Sequence, residues 1–284
     1  MTGPILVATD FSTRSDRALR RATIIAKDMH AEVVLIHVVD VDQPQYAIDA
    51  RVAEAQSILD GAADTMKEID GISARVEVIV EDVFSGILQA AERVEAGIVV
   101  LGPHRRRLRD AFFGTTAERT IARSLRPVLI AAGVPSVAYE RTLVAFDLDE
   151  AQDAVAKRAR CLKMLNLTNV VAMHAFDAPA QGMMKRAMSE REAIDHYVAS
   201  EGQRAYGDFS LFLEDSDFTF SRQVLAPVNG TVARSILDCA SDEDAGLIVV
   251  GTGRDKGLSR FVHGSVAQDI LACTDRDVLI VPNG

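Results

Sequence analysis

Leu6-Val7-Ala8-Thr9-Asp10 and Leu143-Val144-Ala145-Phe146-Asp147 are one apolar run ending in a carboxylate, written twice at a spacing of 137 residues. The same shift lays Val34-Leu35-Ile36-His37-Val38 over Val171-Ala172-Met173-His174-Ala175. Further on the offset grows to 149, for Ile98-Val99-Val100-Leu101-Gly102 against Leu247-Ile248-Val249-Val250-Gly251, and to 150 for Gly114-Thr115 against Gly264-Ser265. A register that holds over four separated segments, with insertions confined to connections, is the mark of an internal duplication, and so long a period excludes a solenoid. Both halves are therefore expected to share one fold, as domains 1–135 and 140–284. The boundary lies near Gly133 to Glu140, where Gly133 and Pro135 interrupt the pattern.

Within each half, Val/Ile/Leu-rich runs alternate with amphipathic stretches such as Ala18, Leu19, Ala22, Ile25 and Ala26 at helical spacing. Repeated strand–helix–strand units imply right-handed crossovers and a parallel sheet. The runs are continuously apolar, as strands covered by helices on both faces must be. Strands are predicted at 4–9, 33–39, 74–80, 97–101 and 127–131, then at 142–147, 169–175, 219–225, 246–250 and 277–281. The fold class is α/β, two tandem five-stranded parallel-sheet domains of Rossmann-like type. Ligands of such open sheets bind beyond the carboxyl ends of the strands, where the strand order switches.

The length of 284 residues suits two domains, each able to bury its own core. Lys and Arg number 31 against 41 Asp and Glu, a net charge of -10 that repels phosphate backbones and disfavours nucleic acid as a partner. Cys161, Cys239 and Cys273 have no disulfide or metal-ligand spacing, which points to reduced thiols and no structural zinc. No apolar run approaches the roughly 20 residues of a membrane span, and charges from Asp10 to Arg21 interrupt any leader-like stretch. A cytoplasmic location is expected.

Asp10 and Asp147 each end a first strand, where a carboxylate can accept from a ribose hydroxyl or adenine amine, or can cap the following helix. The fourth strand of each half ends in Gly, and a second Gly-Thr or Gly-Ser opens the next helix. In the second half the pattern is Gly251-Thr252-Gly253-Arg254, nine residues, Gly264-Ser265. Glycines let the backbone approach a phosphate, and free N–H groups with the helix dipole at Ser265-Val266-Ala267 favour an anion. The plain alternative is a tight strand exit and a Ser-capped helix. Gly251-x-Gly253-x-x-x-Gly257 is one residue too long for a dinucleotide fingerprint and follows the fourth strand rather than the first. There is no G-x-x-x-x-G-K-[ST] either.

His37 and His174 occupy duplicated positions and read as hydrogen-bonded histidines packed at the sheet end. His104 and His263 lie in or beside the glycine loops, and Arg105-Arg106-Arg107 reads as a solvated surface loop. Between its second and third strands the second half carries about a dozen extra residues, roughly 178–217. There Met183, Met184, Ile194, Tyr197, Phe209 and Phe212 form either a lid or groove or the inner face of a longer helix. No catalytic residue and no metal ligand set emerges, and enzymatic activity is not expected.

V-A-T-D-F-S at the first strand, L-I-H-V-V-D at the second and the glycine pattern after the fourth resemble universal stress proteins, along nearly the whole chain and twice over. The resemblance is to a tandem universal stress protein, with an adenine nucleotide alpha hydrolase-like fold. It implies ATP, with a divalent ion such as Mg, bound by a non-enzymatic stress-response factor. Carried over by matching, the first site would use Ala8, Thr9, Asp10, Val38, Gly102, Gly114 and Thr115. The second would use Ala145, Phe146, Asp147, Ala175, Gly251, Gly264, Ser265, Val266 and Ala267. This chain departs from the family loop at its middle Gly, replaced by Arg105 and Arg254, which either clamp a triphosphate or fill its space. The first loop has only eight residues before Gly114, so its spacing is less typical than the second's; Phe146 and Ala175 are less typical than Thr9 and Val38. The resemblance also implies that the halves pair internally through their fifth strands, the resulting pseudo-dimer being open to homodimerisation. The competing readings are a nucleotide-independent module that binds an apolar ligand or a protein partner, and a slow ATPase.

Overall fold

In a computed structural model the apolar runs become one continuous sheet; residues 3–103, 116–149, 152–187, 190–214, 216–228, 230–252 and 266–282 are described. The first half contributes β1 (Ile5–Ala8), β2 (Val33–Val39), β3 (Ala74–Val80), β4 (Ile98–Leu101) and β5 (Val128–Ile130). Between them run α1 (Thr13–Met29), α2 (Gln45–Thr65), α3 (Val83–Arg93) and α4 (Thr116–Arg123). The second half contributes β6 (Thr142–Phe146), β7 (Val170–Phe176), β8 (Arg222–Pro227), β9 (Leu247–Gly251) and β10 (Asp277–Val281). Its helices are α5 (Gln152–Met164), α6 (Gln181–Arg186), α7 (Arg191–Glu214), α8 (Val232–Asp242) and α9 (Val266–Cys273).

Local chemistry explains the helix starts. Ser12, Asp82 and Thr231 each accept from a backbone N–H of the first turn, capping α1, α3 and α8. Apolar periodicity explains what each helix buries, as with Ala18, Ala22, Ile25 and Ala26 on α1. Helices α1, α2, α5 and α7 cover one face of the sheet, and α3, α4, α8 and α9 the other. The central strands are thus buried on both sides, which their unbroken apolar sequence anticipates.

The strand order is β3-β2-β1-β4-β5-β10-β9-β6-β7-β8. Each half is parallel throughout, and the order reverses between β1 and β4 and again between β6 and β9. At the centre β5 and β10 run antiparallel, with Val128 opposite Ile280, Leu129 opposite Leu279 and Ile130 opposite Val278. Leu129 and Leu279 are duplicates at the offset of 150, so the register itself places a pseudo-twofold axis between them. The two predicted sheets are therefore one, joined through their fifth strands.

The joint is held by a buried polar cluster. Arg21 Nε donates to Asp277 Oδ2 at 2.6 Å, with side chains 6% and 1% exposed. Tyr139 OH donates to the same oxygen at 2.6 Å, and Gly133 N to Asp277 Oδ1 at 2.7 Å. Burial, reinforced by the Asp277 charge, raises the Tyr139 phenol well above its ordinary range, so it stays a donor. The connection between halves is thereby fastened to the start of β10.

In the second half one expectation changes, and of the two readings of the extra residues the inner helical face holds. The third strand begins at Arg222 rather than 219, because Phe218 and Phe220 turn inward and Phe220 meets Phe146 edge-on at 5.6 Å. The described residues of the stretch 178–217 form α6 and α7, and Phe209 and Phe212 of α7 pack inward. Phe209 is fully buried and Phe212 lies 6.0 Å from Phe146, so these rings are the inner face of a long helix, not a groove.

Candidate functional site

Each half carries a cavity beyond the carboxyl ends of its first, second and fourth strands, at its switch in strand order. The first has a volume of about 450 Å³, and Ala8, Thr9, Asp10, Val38 and Gly102 all line it. The second is about 360 Å³, lined by Ala145, Phe146, Asp147, Ala175, Gly251, Val266 and Ala267. These sequence-predicted residues therefore meet in space, five at one cavity and seven at the other. Arg105, Gly114, Thr115, Arg254, Gly264 and Ser265 lie outside the described residues, as do His104 and His263.

At the first cavity the hydrogen bonding shows that Asp10 is not the helix cap. Ser12 is the N-cap of α1, and Asp10 Oδ1 instead accepts from Ser12 N at 3.0 Å, an Asx turn that holds the carboxylate beside the cavity. Partial burial pushes its pKa up, but hydrogen bonds from Ser12 and Ser15 and the charge of Arg14 outweigh this and hold it below the usual value. Asp147 repeats the turn, accepting from Asp149 N at 3.1 Å.

Hydroxyls extend the polar wall. Thr9 Oγ1 donates to Ser15 Oγ at 2.9 Å, which donates to the Ser12 carbonyl at 2.9 Å, while Phe11 N donates to Thr9 Oγ1 at 3.0 Å. Phe11 sits at φ 59, a left-handed conformation that costs a bulky residue about 1–3 kcal/mol. Its ring stacks on His37 with centroids 4.4 Å apart. His37 Nδ1 lies 2.8 Å from the Thr9 carbonyl, and His174 Nδ1 lies 3.0 Å from the Phe146 carbonyl. A carbonyl only accepts, so Nδ1 carries the proton, and Nε2 is the acceptor in the neutral ring. Both histidines are hydrogen-bonded at the sheet end as expected, and both also line their cavities.

Gly102 has a steric reason to be glycine. A Cβ there would stand 2.7 Å from the Arg14 carbonyl oxygen and 3.0 Å from Ser15 N. The end of β4 thus lies against the first turn of α1, bringing Ser12, Arg14 and Ser15 to the cavity. These three were not picked out from the sequence. The signal available was a run of hydroxyls and one cation just past the first strand, at Thr9, Ser12, Arg14 and Ser15.

The second cavity is chemically different. Phe146 stands where the first half has Thr9; it is 5% exposed and packs on Phe209, Phe212 and Phe220. The Arg158 guanidinium lies over the same ring at 4.8 Å and donates to the Ala145 carbonyl at 3.1 Å, turned into the core rather than toward a ligand. Among the described lining residues the charged groups are Asp147 and Asp177, with Val228, Val232, Ile236 and Val250 as apolar walls. The first cavity pairs Asp10 with Arg14 and four hydroxyl side chains, counting Thr116 with Thr9, Ser12 and Ser15.

Among the described residues no group of three His, Cys, Asp or Glu side chains is placed to hold a metal. Burial pushes the Cys161 thiol up to about 12 and the Cys239 thiol up to about 11, so neither presents a thiolate nucleophile at neutral pH. No described helix is long and apolar enough to cross a membrane.

Comparison with known proteins agrees with the duplication. The model of the universal stress protein family matches residues 1–132 and again 138–282. One universal stress protein of Methanocaldococcus jannaschii is 21% identical over 159 residues, 51% of this chain and 96% of that protein. A second from the same organism is 28% identical over 144 residues, 50% of this chain and 82% of that protein. Among solved structures, a universal stress protein of Archaeoglobus fulgidus superposes with a TM-score of 0.69 at 19% identity, covering 99% of this chain and 97% of that one. A protein of Pseudomonas aeruginosa PAO1 superposes with a TM-score of 0.65 at 17% identity, covering 99% and 92%. At these identities the structural likeness concerns the fold alone.

Proposed function

This chain belongs to the universal stress protein family in both of its halves, and from that premise we propose a non-enzymatic stress-response factor of the cytoplasm that binds ATP or another adenine nucleotide. The observation that carries the reading is the first cavity. It combines about 450 Å³ of space, the Asp10 carboxylate, a hydroxyl-lined N-terminus of α1 and the Arg14 cation at a switch in strand order. Asp10 would accept from ribose hydroxyls or the adenine amine. The first turn of α1, with its dipole and Arg14, would face the phosphates.

The loop spacing favours the second half as the nucleotide site, but the lining of the cavities supports the first. Phe146 and two carboxylates suit a phosphate-bearing ligand less well than Thr9, Ser15 and Arg14. Mg would accompany the triphosphate, with no described metal cluster to hold it alone. The proposal includes pairing of two chains into a homodimer, which sedimentation equilibrium reads directly.

Calorimetric titration with ATP, AMP and adenosine tests the site. Asp10→Ala should weaken all three about tenfold or more, by loss of a charged hydrogen bond. Arg14→Glu should weaken ATP by a similar factor and leave adenosine nearly unchanged. Absence of saturable ATP binding, or equal affinities in parent and both variants, would refute the assignment.

A further inference from the structure

Beside the seam of the sheet the connection between the halves runs against α1. On that side Arg17 Nη1 donates to the Ala132 carbonyl at 3.0 Å and Arg21 Nη1 to the Val137 carbonyl at 2.7 Å. The Arg21 guanidinium covers the Tyr139 ring at 4.3 Å. The cations of α1 thus hold the connection by its backbone carbonyls and one aromatic ring.

The pseudo-twofold counterpart of that place lies where the start of β5 meets the end of β10, with Arg126 and Pro127 beside Val281 and Pro282. Its roof is the part of α5 from Lys157 to Met164, the duplicate of Arg20 to Lys27 on α1 at the offset of 137. Here there is an open cavity of about 890 Å³. Pro127, Met164 and Pro282 give it apolar walls, and Arg126, Lys157, Arg160 and Lys163 stand against a single carboxylate, Glu95. In a chain with a net charge of -10 this is a local reversal of sign.

The arrangement of the cations selects among ligands. Lys157, Arg160 and Lys163 recur every third residue, a row roughly 9 Å long on a helix axis, whereas a single phosphate needs donors that converge. An extended peptide places side chains on one face about 6.8 Å apart and can answer such a row with successive carboxylates. Lys163 already holds one, Asp217, at 2.6 Å. Among the described residues Arg126, Lys157 and Arg160 have no carboxylate at ion-pair distance. We infer that this cleft is a docking site for an extended acidic peptide segment of a partner protein. The site lies on the seam and does not depend on nucleotide binding.

The probe is a fluorescein-labelled nonapeptide with glutamates at alternate positions around one tyrosine, titrated into the full chain and read by anisotropy. Saturable binding should weaken as salt rises toward about 0.15 M and beyond. Lys157→Glu combined with Arg160→Glu should weaken it roughly tenfold or more. Arg191→Glu, a reversal at a 96% exposed position on α7, should leave it unchanged. Circular dichroism melts check that the double variant folds, and Lys157→Ala with Arg160→Ala replaces it if it does not. Equal binding by the double variant, or equal binding of a peptide with lysines in place of the glutamates, would overturn the inference. So would an unsaturable peptide signal alongside a calorimetric isotherm for pyrophosphate that the double reversal abolishes.

Discussion

Asp277→Asn should be among the costliest conservative substitutions in this protein, although it lines neither ligand cavity. The parent side chain is 1% exposed and accepts from Arg21, Tyr139 and Gly133; Arg21 itself is 6% exposed. Asparagine preserves the shape and one acceptor but leaves the guanidinium buried without its counter-charge. Removing one partner of a buried pair costs about 3–5 kcal/mol, and the retained acceptor argues for about 3. At about 2–4 °C per kcal/mol, Tm should fall by about 6–12 °C. Calorimetry and urea denaturation of parent, Asp277→Asn, Arg21→Met and the double variant close a thermodynamic cycle, in which removing both charges should recover a large part of the loss. Glu32→Gln provides the contrast, since the Arg75–Glu32 pair is 57% and 33% exposed and such pairs contribute at most about 1 kcal/mol. If Asp277→Asn costs no more than Glu32→Gln, the cluster is not what fastens the two halves, and the reasoning fails.

Two further outcomes follow from the ionisation of buried and half-buried groups. The Asp10 carboxyl is held below its ordinary value of 3.8, so it stabilises the fold above that pH and the contribution disappears as pH falls through the depressed value. The difference in denaturation midpoint between parent and Asp10→Asn should therefore be full at neutral pH and shrink below about pH 4; a difference independent of pH would contradict the Asx-turn geometry. With Cys161 and Cys239 buried and Cys273 exposed, an aromatic disulfide reagent should titrate one thiol rapidly in the native protein and three after unfolding. Rapid native reaction of a second thiol would show that one of the helix packings is wrong.

The duplication and nearly every strand were legible because both are written in local apolar runs, and a run such as Ile98-Val99-Val100-Leu101 has few other places to go. β8 was misplaced at its start for an equally physical reason. Phe218 and Phe220 have high strand propensity, yet the aromatic pocket around Phe146 takes them, and nothing near them in sequence announces that pocket. Whether Asp10 caps α1 stayed open in sequence because a cap and an Asx turn use the same residue type two positions apart. Gly102 could be marked as a close approach, but what approaches it, the first turn of α1, is 87 residues away along the chain, from Ser15 to Gly102.

The sequence by itself determined the architecture: a doubled α/β unit and nearly all of its strands. These follow from periodicity and from an offset that can be counted. Only the tertiary structure decided how the copies differ. It made one cavity hydroxyl-lined and the other aromatic, and buried Arg21 against a carboxylate 256 residues away. Burial and charge pairing depend on what arrives from across space, and a duplicated sequence specifies the same local chain twice while giving each copy different neighbours.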